Sequence, residues 1–139
     1  MSDLDSKPAR QPTILVVEDE PEERFLAATL LEEAGFKVVE AETAERALAI
    51  LRERGDAIDV VFSDVRTPGP IGGFELARVI GVTWPRIHVI LTSGDAGDQP
   101  SDLRMSATFV KKPWPALDNL NLVERAAGHH RGQPALRGA

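Results

Sequence analysis

Short apolar runs alternate with amphipathic stretches along most of the chain. Five of these runs have the length and composition of buried strands, and they lie at Ile14–Val17, Phe36–Val39, Ile58–Phe62, Ile87–Leu91 and Ala107–Val110. Strands that are almost entirely apolar and separated by helices are typical of a parallel sheet covered on both faces. Because crossovers in such sheets are right-handed, we predict an α/β protein with a doubly wound (βα)5 sheet in the order 2-1-3-4-5.

Residues that favour helix ends lie between the predicted strands. Pro21 suits the first turn of a helix, where its missing N–H costs nothing, and Gly35 is placed to end that helix. Thr43 is placed to cap a second helix, which Gly55 closes. Residues 95–105 contain glycine and proline and have weak helical periodicity, which predicts a shortened fourth helix. The first helix carries apolar residues at helical spacing, including Phe25, Leu26, Ala28, Leu30 and Leu31.

Length and composition favour a single domain. The chain has 139 residues, which is enough for one hydrophobic core and too few for two. Both ends are polar and rich in breaker residues, so residues 1–11 are predicted to form a disordered tail and residues 128–139 a flexible one. The predicted domain occupies residues 12–127.

Charge and residue types exclude several classes of function. With 22 acidic and 16 basic residues the net charge is −6, which argues against binding to a nucleic-acid backbone. The absence of cysteine excludes disulfides, zinc–thiolate sites and cysteine nucleophiles. The apolar runs are far shorter than the roughly 20 residues that cross a bilayer, and no secretory signal begins the chain. We therefore expect a cytoplasmic protein that binds neither nucleic acid nor membrane.

Polar residues follow four of the predicted strands at one edge of the sheet. In the predicted order these four strands are neighbours about 4.8 Å apart, so their ends converge. The residues at these ends are Glu18, Asp19, Asp64, Thr92, Ser93 and Lys112. Two carboxylates about 4 Å apart repel by about 4 kcal/mol at an effective dielectric constant of about 20, unless they are protonated, well solvated or neutralised by a cation. Mg²⁺ suits an incomplete carboxylate shell because it keeps several waters and takes further ligands from phosphate. The edge is predicted to receive a phosphoryl group.

The chain resembles a response-regulator receiver domain of two-component signalling in four segments, which come in the family's order and at receiver-like separations: ILVVEDEP, VVFSDVRTPG, VILTSG and FVKKPW. The resemblance covers about residues 12–127 and implies a flavodoxin-like receiver fold of the stand-alone type. It also implies that Asp64 is the phosphoacceptor, whose carboxylate attacks a phosphohistidine or a small phosphodonor. Such a protein catalyses its own phosphoryl transfer and dephosphorylation and turns over no separate substrate.

The same resemblance implies a magnesium site around the phosphoacceptor. Glu18 and Asp19 match the acidic pair that holds Mg²⁺ directly or through water, and Asp64 itself is a further ligand. The backbone carbonyl of Arg66 matches the family's main-chain ligand. Glu18 stands where the family more commonly has aspartate. Without the rest of the pattern, the acids at the end of the first strand would equally suit an acidic cap of the first helix.

A switch is implied by residues that follow the fourth and fifth strands. Lys112 matches the lysine that pairs with the phosphoryl oxygens. Ser93 matches the switch hydroxyl because a small residue comes directly after it, and Thr92 is the alternative if the strand is shifted by one residue. Phe109 matches the aromatic side chain that turns inward when the hydroxyl engages the phosphate.

The resemblance leads to one main hypothesis and two alternatives. The main hypothesis is a response regulator that accepts a phosphoryl group from a sensor histidine kinase or a histidine phosphotransfer protein and signals to a downstream protein as a monomer or weak homodimer. One alternative is a degenerate receiver that binds partners without phosphorylation. The other is a flavodoxin-like nucleotide or flavin binder, which is disfavoured because the first loop, EDEPEE, is acidic and has no glycine to cradle a phosphate.

Overall fold

The computed structural model describes residues 11–93 and 107–111. Within these ranges five parallel strands form one sheet in the order β2-β1-β3-β4-β5, as predicted. The strands are β1 (Thr13–Val17), β2 (Lys37–Ala41), β3 (Val60–Asp64), β4 (His88–Ser93) and β5 (Ala107–Lys111). The predicted α/β class and doubly wound strand order are therefore confirmed.

Three α-helices connect the first four strands. They are α1 (Pro21–Glu33), α2 (Ala44–Arg54) and α3 (Gly73–Thr83), and a 3₁₀ turn at Gly55–Ala57 follows α2. Pro21 is the first residue of α1, and the Thr43 hydroxyl accepts a hydrogen bond from the Arg46 N–H at 3.1 Å at the start of α2. Gly35 follows α1 with φ of 99°, a left-handed conformation that glycine adopts at little cost.

Alternate residues of the strands pack against helices on opposite faces of the sheet. One face packs against α1, and its strand residues are Ile14, Val16, Val60, Phe62 and Ile90. The other face packs against α2 and α3, and its strand residues include Leu15, Val17, Val61, Val89 and Leu91. Because both side-chain directions are buried, the strands are apolar at nearly every position.

The structure differs from the predicted pattern in α1. Phe25 and Leu26 were expected on the apolar side of this helix, but their side chains are 70% and 54% exposed. Two alanines and one leucine occupy the packed side instead, where Ala27, Ala28 and Leu31 are buried. Spacing alone does not separate these two sides because apolar residues surround much of the helix.

Gly55 ends α2 as predicted, and it also has a second role. It follows α2 in a right-handed conformation, with φ of −55°, and it begins the 3₁₀ turn. Glycine is required there for space, because a Cβ atom would collide with the indole ring of Trp84.

Several predictions lie outside the described residues. They concern residues 1–10 of the first predicted tail, the second tail, the fourth helix over residues 95–105 and the fifth helix that the (βα)5 pattern implies after β5. In the ranges that the structure covers, no helix combines the length and apolar character needed to pass through a membrane.

Candidate functional site

The carboxyl ends of β1 and β3 border a cleft of about 550 Å³. The register pairs Val17 with Ser63, so the residues that follow them, Glu18 and Asp64, are neighbours at this edge. The cleft is lined mainly by charged residues, which are Glu18, Asp19, Glu20, Glu23, Asp64 and Arg66. The structure thus brings together the three predicted carboxylates and adds two that the sequence analysis did not assign to the site.

Glu18 is held in place through its backbone and its side chain. Its N–H donates to the carbonyl of Ala41 at 3.0 Å, and its carbonyl accepts from Nη1 of Arg24 at 2.9 Å. Its carboxylate Oε2 accepts a hydrogen bond from the N–H of Glu20 at 3.0 Å, and the residue is 8% exposed. The side chain of Glu20, the residue before α1, makes no capping hydrogen bond. The acidic loop is therefore shaped mainly by contacts to Glu18.

Asp64 is the last residue of β3 and is half-buried. Its carboxylate Oδ1 accepts a hydrogen bond from the N–H of Arg66 at 3.1 Å. The next residue, Val65, donates its N–H to the Thr92 carbonyl at 2.8 Å and accepts from the Gly73 N–H at 2.8 Å. These bonds turn the chain sharply after Asp64 and keep the backbone of Arg66 beside the carboxylate.

The loop between β3 and α3 is stabilised by contacts that the sequence analysis did not foresee. The Thr67 hydroxyl donates to the Ile71 carbonyl at 3.0 Å. Gly69 has φ of 104°, and the carboxylate of Glu45, from the first turn of α2, lies against it. No sequence signal links the glycines and prolines of this loop to Glu45.

The two candidate hydroxyls of β4 differ in their surroundings. Thr92 is 2% exposed and is paired in register with Asp64. Ser93 is the last residue of β4, is half-buried and is paired with Lys111 of β5. The assignment of Ser93 as the switch hydroxyl stays a prediction. Lys112 follows the last residue of β5 and lies outside the described residues.

Phe109 lies at the edge of the core, in β5. Its ring centroid is 5.8 Å from that of Phe74 in α3, with the ring planes tilted by 54°. The residue is half-buried against the cluster that joins α2 and α3 to the sheet. Partial burial gives the ring both a packed side and a side towards solvent, and its switching role stays a prediction.

The donor atoms of the cleft fit Mg²⁺. They are mainly carboxylate oxygens, which are hard ligands. The backbone carbonyl of Arg66 stays a predicted ligand. Among the described residues, no three His, Cys, Asp or Glu side chains are grouped tightly enough to hold a metal ion by themselves. Mg²⁺ does not require such a cage, because it commonly binds through one or two carboxylates and completes its shell with water and phosphate. The excess of negative charge also favours a divalent cation.

The chain belongs to the response regulator receiver domain family, whose profile matches residues 14–121. It is 36% identical over 107 residues to the sensor kinase CckA of Brucella abortus, an alignment that covers 73% of this chain and 11% of the kinase. The chain spans a quarter or less of the length of the first three curated relatives, which include two regulators. It is therefore homologous to receiver domains of both sensor kinases and response regulators.

Solved receiver structures have the same fold. A receiver domain protein from Clostridium thermocellum has a TM-score of 0.80 at 28% identity, and the match covers 86% of this chain and 97% of that one. The response regulator TrrA of Thermotoga maritima, solved in complex with Mg²⁺ and BeF, has a TM-score of 0.74 at 29% identity, over 84% of this chain and 99% of that one. Receiver domains generally bind Mg²⁺ at the phosphorylation site.

Proposed function

We propose that Asp64 accepts a phosphoryl group from a phosphohistidine and that the protein acts as a Mg²⁺-dependent response regulator. The donor is a sensor histidine kinase or a histidine phosphotransfer protein, and the phosphorylated form signals to a protein partner in the cytoplasm. The proposed receiver domain spans residues 12–127, which encloses the family match. The observation that carries the proposal is the cleft at which Glu18, Asp19 and Asp64 meet.

The chemistry is phosphoryl transfer to a carboxylate. An oxygen of Asp64 attacks phosphorus, the P–N bond of the phosphohistidine breaks, and the imidazole nitrogen keeps the electron pair. The carboxylates of Glu18, Asp19 and Asp64 and the carbonyl of Arg66 would hold Mg²⁺, and the bound ion would neutralise the phosphoryl charge. The hydrogen bond from the Arg66 N–H to Oδ1 of Asp64 orients the carboxylate for attack.

The switch assignments extend this proposal. Lys112 pairs with a phosphoryl oxygen. The Ser93 hydroxyl moves towards the phosphoryl dianion that forms on Asp64. Phe109 then repacks at the edge of the core, where its ring already lies against Phe74. Support comes from the position of Ser93 at the end of β4 and the half-burial of Phe109. We also expect the protein to be a monomer or a weak homodimer.

Incubation with acetyl phosphate and Mg²⁺, followed by intact-protein mass spectrometry, tests the phosphoacceptor. We expect an adduct with the mass of one phosphoryl group in the parent protein and none in Asp64→Asn. Asp56→Asn is the matched control, because the Asp56 side chain is fully exposed at the opposite edge of the sheet. An adduct that persists in Asp64→Asn, or that never forms in the parent, contradicts the proposal.

A receiver that acts without phosphorylation is the competing function. The observation that favours it is the bond from the Glu20 N–H to Oε2 of Glu18, which directs one carboxylate oxygen into the loop. This function predicts that the parent and Asp64→Asn have the same affinity for the partner, whether or not a phosphodonor is present. The acetyl phosphate experiment separates the two functions before any partner is identified.

A further inference from the structure

Arg24 connects the acidic loop to a neighbouring strand. It lies in the second turn of α1, and its side chain is 18% exposed. Nη1 donates to the Glu18 carbonyl at 2.9 Å, and Nε donates to Oε1 of Glu40 in β2 at 3.1 Å. A single planar side chain thus holds the loop after β1 and the end of β2 at the same time.

The contacts of Arg24 complete a set that fixes Glu18 from several directions. The Glu18 N–H donates to the carbonyl of Ala41, which follows Glu40 in β2. The Glu18 carboxylate accepts from the N–H of Glu20. Arg24 takes the remaining backbone group, the carbonyl. Without this bond the backbone between Glu18 and Asp19 loses a restraint, so the segment that carries both acidic side chains is held less firmly.

From these contacts we infer that Arg24 is a positioning residue, which orients the acidic pair Glu18 and Asp19 towards Asp64. This inference rests on the proposed magnesium site, because it concerns how that site is presented. Arg24 itself does not line the cleft, so it acts through the loop and touches neither metal nor phosphoryl group.

Positioning and plain electrostatics predict opposite effects of removing Arg24. A cation close to a metal site repels Mg²⁺, so loss of its charge alone would tighten binding. Loss of a group that orients metal ligands weakens binding, commonly by about 10- to 100-fold. The sign of the change therefore distinguishes the two roles.

Isothermal titration with Mg²⁺ alone tests the inference on the full chain. We expect Arg24→Ala to bind Mg²⁺ about tenfold more weakly than the parent, at the lower end of the range for groups that support metal ligands. Arg24→Lys keeps the charge but cannot form both bonds with the same geometry. Its affinity for Mg²⁺ is therefore expected to lie between those of the parent and Arg24→Ala. Arg46→Ala is the charge-matched control, since it removes an exposed arginine from the start of α2 at the same edge.

Glu40→Gln tests the connection to β2. If Arg24 acts through its bond to Glu40, this variant weakens Mg²⁺ binding less than Arg24→Ala, and the double variant is no weaker than Arg24→Ala alone. An affinity in Arg24→Ala that equals or exceeds that of the parent overturns the inference.

Amide hydrogen exchange without Mg²⁺ gives a second measurement that does not depend on the proposed function. Arg24→Ala is expected to accelerate exchange at Glu18 and Glu20, while exchange at the core residue Ile90 is unchanged. If the parent binds no Mg²⁺, the proposed function is wrong, and exchange then decides the role of Arg24. Unchanged exchange at both loop amides in that case overturns the inference. If Arg24→Ala does not fold, both measurements are made on Arg24→Lys with the same criteria.

Discussion

Acidic residues have different surroundings at the two edges of the sheet. At the amino edge, Asp59 is completely buried, and its Oδ2 accepts a hydrogen bond from the Thr13 N–H at 2.8 Å. At the carboxyl edge, Glu18, Asp19 and Asp64 share an open cleft with two further acids. At the amino edge the buried carboxyl group of Asp59 is thus matched with a hydrogen-bond donor, whereas at the carboxyl edge several acidic side chains are crowded together.

At the amino edge, polar groups are also paired around Arg86. Arg86 donates to the carbonyls of Gly55 at 2.9 Å and Ile58 at 3.4 Å, and it lies 3.6 Å from the carboxylate of Asp56. The indole of Trp84 covers Gly55. Arg86 thus gives a donor to backbone carbonyls in and directly after the 3₁₀ turn that precedes β3.

This difference separates stability from function. Buried polar groups that are bonded contribute to the stability of the fold, whereas crowded carboxylates lower it until a cation arrives. Proteins commonly accept such local costs at functional sites and compensate for them elsewhere. The amino edge is thus expected to tolerate substitution poorly, and the carboxyl edge to tolerate it well in the absence of Mg²⁺.

The largest expected contrast is between the two aspartates at opposite ends of β3. Asp59→Ala leaves the buried Thr13 N–H without its acceptor, and we expect a loss of about 3 kcal/mol, the upper end of the cost of such an orphaned donor. Asp64→Ala removes one of several crowded charges, so stability is expected to change by less than about 0.5 kcal/mol or to rise. Urea unfolding with EDTA measures both. Equal losses in the two variants would remove the distinction between the edges.

A second contrast compares two glycines. Gly55→Ala forces a methyl group into the indole of Trp84, and overpacking of this kind costs about 1–3 kcal/mol. Gly81→Ala is the control, because a Cβ there meets nothing within 4 Å and the residue lies in α3. Better helix propensity should stabilise that variant by up to about 1 kcal/mol. Thermal unfolding of both proteins gives the sign, and a stable Gly55→Ala would mean that Trp84 moves aside at no cost.

The sequence was sufficient for features that depend on local spacing. Pro21 and Thr43 mark the starts of α1 and α2 as expected, and the apolar runs predict the strand order that the structure has. Asp64 was placed at the end of β3 for the same reason. Each of these features follows from a few neighbouring residues or from the general topology of parallel sheets.

Contacts between distant segments could not be predicted from local spacing. Arg86 bonds to Gly55, 31 residues earlier, and Arg24 bonds to Glu40, 16 residues later. Local sequence does not show which arginine reaches a carbonyl, because tertiary packing decides it. Glu23 was missed for a related reason, because helix periodicity does not show which side of α1 borders the cleft.

Mg²⁺ should reduce the difference between the edges. The ion neutralises the crowded acids, and a ligand at ten times its Kd stabilises a folded protein by about 1.4 kcal/mol. We expect this gain in the parent and in Asp56→Asn, but not in Asp64→Asn. Thermal unfolding with increasing MgCl₂, at constant ionic strength, measures the effect. A gain retained in full by Asp64→Asn would place the ion elsewhere.

The smallest expected effect is at Glu20, where two influences of similar size compete. This residue precedes α1, so its charge gains about 0.3–1 kcal/mol from the helix dipole. It also shares the cleft with four other carboxylates, and a pair at about 4 Å repels by about 1 kcal/mol even in bulk water. Because several such pairs oppose one dipole, Glu20→Gln should raise stability by about 0.5 kcal/mol without Mg²⁺ at low ionic strength.

Mg²⁺ should reverse the sign of this effect. Once the ion balances the acids, the charge of Glu20 contributes attraction, and Glu20→Gln becomes less stable than the parent. In about 1 M salt, where the screening length falls to about 3 Å, both differences should nearly vanish. Asp56→Asn provides the comparison at the amino edge: it loses its weak pairing with Arg86, so it should be slightly destabilised with or without Mg²⁺. If Glu20→Gln responds to Mg²⁺ as Asp56→Asn does, charge crowding does not distinguish the carboxyl edge.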